Sequence, residues 1–449
     1  MKARKIMQKN QLSFKETFFI GLMIFSLFFG AGNLIFPAEL GQEAGQNVWQ
    51  AMAGFLITGI GLPTLGLVSI AFVSKKGQTE DIATAVHPVF ASILTCMTYL
   101  AIGPFFAGPR TGLVSYEIAV VPFLPAENQR LFLFLFTLVF FGVVYYLALY
   151  PNQFVNRFGK LITPFLLTIL GVFIITNLLF PIDHLQAPQA KYAHLPFATG
   201  VKAGYLTMDT IVSIIFATII INATKNMGIH SQKETRKIIL KSGLVAATCL
   251  GLIYLGIAYI GASSASLGQT GGAAILSGIA HHYFGPFGNV LFGVVVLLAC
   301  LPTGAGLLSS CSWYFNRMFP NISYQRFLLI FTIFSAAVAN VGLDQLIKIS
   351  IPVLNFVYPI IIVLILFGFL NHLVPLKQGN YVGAVIFTAF ISLNDALQAV
   401  NANWQYFDGS SLPLASLGFG WLVPAIIGTL LGGGAGFVLQ KIVRKLKLV

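Results

Sequence analysis

Phe28-Phe29-Gly30-Ala31-Gly32-Asn33-Leu34-Ile35-Phe36-Pro37 lies inside the first long apolar run of the chain. A run of this kind reads as a membrane helix, and two glycines with an asparagine at mid-depth read as a break in it. Glycine favours non-helical backbone, so the segment can unwind and free its N–H and C=O groups. Freed amides at a half-helix N-terminus suit a carboxylate, and freed carbonyls suit a small cation. A glycine-lined packing face between helices is the competing reading of the same residues.

The rest of the chain supports the membrane setting. Of 449 residues, 57% are hydrophobic and only 9% charged, where a soluble protein carries about 25% charged residues. The mean hydropathy is +0.85. So few charges cannot clothe a water-facing surface, which excludes soluble enzymes, disordered scaffolds and nucleic-acid binders. A spanning helix needs about 20 apolar residues. Twelve such runs occur, near 14–37, 47–73, 85–121, 130–149, 154–180, 196–222, 237–261, 285–316, 325–341, 345–371, 379–400 and 414–440. The longest connector, Asp183–Leu195, is too short for a soluble domain, so 1–449 reads as one transmembrane domain. The basic segment Met1–Lys15 precedes a helix-length run without a small-residue cleavage site, and the first run is expected to stay as a span.

The net charge of +13 follows the membrane pattern. Lys2, Arg4, Lys5, Lys9 and Lys15 precede the first run; Lys75 and Lys76 follow the second; Arg157 and Lys160 follow the fourth. Lys225, Lys233, Arg236, Lys237 and Lys241 follow the sixth, Arg317 and Arg326 the eighth, Lys377 the tenth, and Lys441, Arg444, Lys445 and Lys447 the last. Every second connector is therefore basic, which predicts both termini in the cytoplasm. The four cysteines all sit in apolar runs and read as small buried residues. No pair of histidines has metal-ligand spacing with a carboxylate, so no transition metal is expected.

A second interruption, Gly204-Tyr205-Leu206-Thr207-Met208-Asp209-Thr210-Ile211-Val212-Ser213, falls in the sixth run. A charge at this depth costs roughly 2.5–3.5 kcal/mol on insertion scales, so Asp209 is expected to face a cavity, a partner or an ion. Placement in the outer vestibule, paired structurally, is the alternative. The two breaks are five runs apart. Matching breaks in two halves of opposite orientation point to a central transport site, with 1–180 as the first repeat, 196–371 as the second and 379–440 as two extra helices.

Three segments carry a family resemblance: Leu27 through Pro37, Ile102-Gly103-Pro104-Phe105-Phe106-Ala107-Gly108-Pro109-Arg110-Thr111, and Gly204 through Asp209. They resemble the signatures of the bacterial branched-chain amino acid:cation symporter family, within the amino acid–polyamine–organocation superfamily, and the resemblance runs over essentially the whole chain. It implies an all-α integral membrane fold of twelve transmembrane helices, with a five-plus-five inverted-repeat core of the LeuT type and two extra helices. It implies sodium-coupled import of leucine, isoleucine and valine across the cytoplasmic membrane, with no cofactor beyond the sodium ion and no obligatory protein partner. By the same resemblance, Gly30, Ala31, Gly32 and Asn33 would hold the substrate carboxylate, and Thr207, Met208 and Asp209 its ammonium group. Sodium would be held by Ser26, Phe29, Ala299 and Thr303. The family's paired threonines in the eighth helix are replaced here by Pro302-Thr303, which removes one hydroxyl ligand.

Arg110 and Glu117 occupy the third run and are expected to form an ion pair, with each other or between Arg110 and Asp209, or an external gate. Phe28, Phe29 and Phe216 flank the breaks and suit an apolar side-chain pocket, although a methylene is worth only about 1–3 kcal/mol of discrimination. No G-x-x-x-x-G-K-[ST] is present, which argues against ATP hydrolysis. Two rival readings stay open: a carrier coupled to protons through Asp209 or Glu117, and a channel or receptor that binds an amino acid without cycling.

Overall fold

The computed structural model describes residues 12–74, 78–401 and 403–446, with the side chains of Ala126, His372 and 435–446 excepted. Lys2, Arg4, Lys5, Lys9, Lys75, Lys76 and Lys447 lie outside the described residues. The architecture is all-helical: α1 (Phe14–Phe28), α2 (Ala31–Ala44), α3 (Val48–Leu56), α4 (Leu62–Val73), α5 (Pro88–Leu100), α6 (Ala107–Ala119), α7 (Gln129–Ala148) and α8 (Thr163–Leu179). Then follow α9 (Ala190–His194), α10 (Pro196–Tyr205), α11 (Asp209–Asn226), α12 (Gln232–Ala262), α13 (Gly272–Met318), α14 (Tyr324–Ala339), α15 (Leu343–Leu373), α16 (Gln378–Val400) and α17 (Leu422–Leu446). Among the described residues, eight helical stretches are long and apolar enough to cross a membrane, or nine if the bent pair α10–α11 is one span. That is fewer than the apolar runs of the sequence. The broken α1 has 15 residues and α14 has 16, and Ala31–Val73 forms one continuous stretch through α2, α3 and α4.

Local chemistry explains the boundaries. Ser13 and Glu16 form a capping box: Ser13 Oγ accepts from the Glu16 N–H at 3.2 Å, and the Ser13 N–H donates to Glu16 Oε2 at 2.9 Å. α1 stops where Phe29 takes ψ 85° and Gly30 takes φ −121°, ψ −153°. Turns of π-helix at Ala101–Phe105, around Gly103-Pro104, and at Ile57–Gly61 join α5 to α6 and α3 to α4. α13 is two helices meeting at Gly285, whose φ of +60° suits glycine.

The surface is apolar and the interior is speckled with hydroxyls. Leu131, Val139, Leu161 and Leu244 are exposed, whereas Ser26, Thr210, Ser213, Ser242 and Ser312 are fully buried. That inverted distribution is what a lipid environment selects, because buried hydroxyls satisfy helix carbonyls and apolar side chains face the tails. Small residues bring backbones together at the broken helices. A Cβ on Gly41 would lie 1.9 Å from the Ala258 carbonyl oxygen, and one on Gly200 would lie 1.8 Å from that of Ala51. α1 and α2 thus both lie along α12, and α10 and α11 lie along α3 and α4.

Candidate functional site

Both breaks expected from the sequence are present, and they meet. In an unbroken helix the Gly30 N–H would bond the Ser26 carbonyl; here it donates instead to Asn33 Oδ1 at 3.3 Å. The freed Ser26 carbonyl accepts from Thr303 Oγ1 of α13 at 3.4 Å, and the same hydroxyl reaches the Ala299 carbonyl at 3.3 Å. Ser26, Ala299 and Thr303 are therefore in one place. Ser26 Oγ is itself buried without a hydrogen-bond partner, the kind of orphaned oxygen that a cation would satisfy. A Cβ on Gly30 would lie 2.8 Å from Thr303 Oγ1, so glycine is what allows this approach. Phe29 ends α1, with its ring stacked on Phe25 at 4.9 Å and near Tyr254 at 6.3 Å.

The sixth-run break is built by Met208, which adopts φ +67°, ψ 5° and caps α11. A left-handed conformation costs a non-glycine residue about 1–2 kcal/mol, so surrounding structure holds it there. Thr207 Oγ1 bonds the Gly204 carbonyl at 2.9 Å and faces the Asp209 N–H at 3.4 Å. The axes of α10 and α11 differ by 42°.

Asp209 is the centre of the arrangement and is 2% exposed. Asn33 Nδ2 donates to Asp209 Oδ2 at 2.5 Å, and the Tyr254 hydroxyl of α12 donates to the same oxygen at 3.3 Å. Asn33 Nδ2 also lies against the Tyr254 hydroxyl. Among the described residues no cationic side chain pairs with Asp209. The carboxylate is thus buried on neutral donors that tie the first break, the sixth and α12 together. Tyr254 was missed by the sequence reading. In the apolar run Gly251–Ile260, which also holds Tyr259, Tyr254 gives no signal until the fold sets it beside Asp209. Gly32 faces the second break, with its Cβ position 3.4 Å from Thr207 Cα and 3.1 Å from the Phe36 ring. Phe28 meets Phe216 edge-on at 5.5 Å beneath the site.

The expected ion pairs of Arg110 are not formed. Its guanidinium, 2% exposed, donates through Nη1 to the Leu206 carbonyl at 2.8 Å and through Nη2 to Ser350 Oγ at 3.4 Å. Glu117 lies two turns away and lines a separate cavity of about 480 Å³ with His281 and Asn289. α6 rises between them and keeps the two charges apart. A larger open cavity of about 760 Å³ leads toward the site from the side of Glu39, Lys191 and Asp395, with Phe36, Leu206 and Tyr358 in its wall.

A buried carboxylate and a freed carbonyl where two helix breaks meet suit a membrane carrier. The overall fold agrees. It is similar to Mhp1, a nucleobase-cation-symport-1 family transporter, in a closed conformation with bromovinylhydantoin bound. The TM-score is 0.62 at 14% identity, covering 98% of this chain and 96% of that one. It is also similar to MhsT in complex with L-phenylalanine, at TM-score 0.58 and 15% identity, covering 94% and 99%. At these identities the likeness speaks for the fold alone.

The chain belongs to the branched-chain amino acid transport protein family, whose model matches residues 13–436. Its relatives include the branched-chain amino acid permeases BraB and BrnQ of Bacillus subtilis (strain 168). Each is 43% identical, over 94% of this chain and 96% of its own length. BrnQ of Lactobacillus delbrueckii subsp. lactis is 38% identical over 93% and 96%. These relatives are permeases, not enzymes, and with its apolar helices the chain is a multi-pass membrane protein of a transporter family.

Proposed function

We propose that this protein is a secondary active symporter that moves leucine, isoleucine and valine inward across the cytoplasmic membrane with sodium. The carrying observation is Asp209, a buried carboxylate on neutral donors where the two helix breaks meet. A carboxylate in that setting offers an amino acid's ammonium group a strong, desolvated partner. The amides opening α2 at Ala31, Gly32 and Asn33 face the same region, and a helix N-terminus favours a carboxylate. Sodium prefers several oxygen ligands, and the Ser26 carbonyl, the Ala299 carbonyl and Thr303 Oγ1 are gathered beside the orphaned Ser26 Oγ. Pro302 has no N–H, so the Leu298 carbonyl lacks its helical partner and is a further candidate.

The architecture we favour has twelve spans, with 1–180 and 196–371 as inverted repeats, 379–440 appended and both termini cytoplasmic. Reciprocal packing supports it. The first broken helix lies along α12 in the seventh run, and the sixth lies along α3 and α4 in the second, an exchange that an inverted repeat requires. A proton-coupled carrier draws on the same buried Asp209 and is the second reading. Counterflow in proteoliposomes tests the carrier itself. Labelled leucine should accumulate transiently in vesicles loaded with unlabelled leucine. Binding without exchange would identify a receptor instead.

A further inference from the structure

Arg110 is the group that the reading above leaves unused. It is 2% exposed inside a membrane span, and among the described residues no carboxylate lies within ion-pair distance. Its two recorded hydrogen bonds go to neutral oxygens, the Leu206 carbonyl and Ser350 Oγ, and Nε is buried with no partner at all. A buried cation without a counter-ion is costly to maintain, and it is retained where something supplies the missing anion.

Its neighbours show where that anion would sit. Leu206 belongs to the break in the sixth run, and the Phe36 ring lies 5.5 Å from the guanidinium. Phe36 and Thr207 are also the groups nearest to Gly32 at the opening of α2. Phe36 and Leu206 both line the 760 Å³ cavity. Arg110 therefore stands across the Phe36 ring from Gly32 at the opening of α2, with a spare donor, against the wall of the approach route.

We propose that Arg110 is a substrate-binding residue that takes the α-carboxylate of the transported amino acid, opposite Asp209 on the ammonium. The guanidinium fork matches a carboxylate with two parallel hydrogen bonds, which a single backbone amide cannot offer. Substrate then completes both buried charges at once: Asp209 exchanges neutral donors for an ammonium, and Arg110 gains its anion. The bond to the Leu206 carbonyl holds the guanidinium at the second break until substrate arrives. An amino acid lacking either charged group leaves one of the two uncompensated, so selectivity for zwitterions is built into the pair.

This proposal rests on the branched-chain amino acid reading, and one experiment separates their fates. Binding of leucine and of leucine amide, which keeps the ammonium and loses the carboxylate, is measured on the purified full-length parent, on Arg110→Gln and on Arg110→Lys. The parent should prefer leucine by about 10- to 100-fold, as loss of a charge-assisted hydrogen-bond pair predicts. Arg110→Gln should lose leucine affinity but not leucine-amide affinity, bringing the two within about threefold, and Arg110→Lys should recover part of the preference. Equal affinity of the parent for both ligands overturns the proposal without any variant. So does a preference that survives in Arg110→Gln. A parent that binds no branched-chain amino acid removes the functional reading itself, and the proposal with it.

Discussion

Asp209→Asn keeps the shape of the buried side chain and removes its charge. In the parent, Oδ2 accepts from Asn33 at 2.5 Å and from Tyr254 at 3.3 Å, both neutral donors. The asparagine oxygen can accept from the same two groups, so the link between the first break and α12 survives with weaker bonds. The cost of that weakening is offset by no longer burying an unpaired charge. Stability should therefore change little, with the unfolding temperature shifting by only a few degrees. Substrate binding should not be spared. A hydrogen bond to a charged partner contributes about 1.5–3 kcal/mol, which corresponds to roughly 10- to 150-fold in leucine affinity. Calorimetric titration of leucine into detergent-purified protein, beside a thermal melt of the same sample, reads both quantities. An unchanged leucine Kd would mean that Asp209 never meets the substrate. Loss of affinity together with a collapse in unfolding temperature would make it a structural clamp.

Gly32→Leu adds a branched side chain where a Cβ already meets the Phe36 ring at 3.1 Å and Thr207 Cα at 3.4 Å. Uptake should fall by about 100-fold or more with normal membrane insertion, measured by transport and by quantitative blotting of membranes. Thr303→Ala removes the only side-chain oxygen facing the Ser26 and Ala299 carbonyls among the described contacts. It should raise the half-saturating sodium concentration by about three- to tenfold, and Thr303→Ser should largely preserve it, read from leucine uptake against sodium at fixed pH. In the loop before α9, hydrogen bonds from the Ser266 hydroxyl and from its backbone N–H, the latter at 2.6 Å, hold the Asp183 carboxyl below the usual value. That contribution is present above pH about 4 and lost as pH falls further. Asp183→Asn should therefore lower the melting temperature slightly at pH 7, with the difference from the parent closing as pH falls below about 4.

The site was legible where a residue type conflicts with its surroundings. Two glycines in an apolar run announce a break at Gly30, and an aspartate among isoleucines announces Asp209. What was not legible depends on which helices become neighbours. Nothing near Tyr254 marks it as a partner for a residue 45 positions away. The sequence marks Asn33 only as part of a backbone break, while its side chain caps Gly30 and reaches Asp209 together. Arg110 misled for the same reason: helical spacing suggested Glu117, but the broken sixth run brings the Leu206 carbonyl closer. In the fold, hydropathy marks the apolar helical stretches, of which eight or nine among the described residues are long enough to span a membrane. The bends at Gly285 and at the π-turns arise from backbone geometry that hydropathy does not register.

Leucine uptake into proteoliposomes, with sodium and pH gradients imposed one at a time, tests the central claim most directly. The account predicts concentrative uptake when sodium is high outside and pH is equal, and none when choline replaces sodium. Concentrative uptake driven by a pH gradient in choline, with no response to sodium, would contradict it and transfer the coupling to the proton on Asp209.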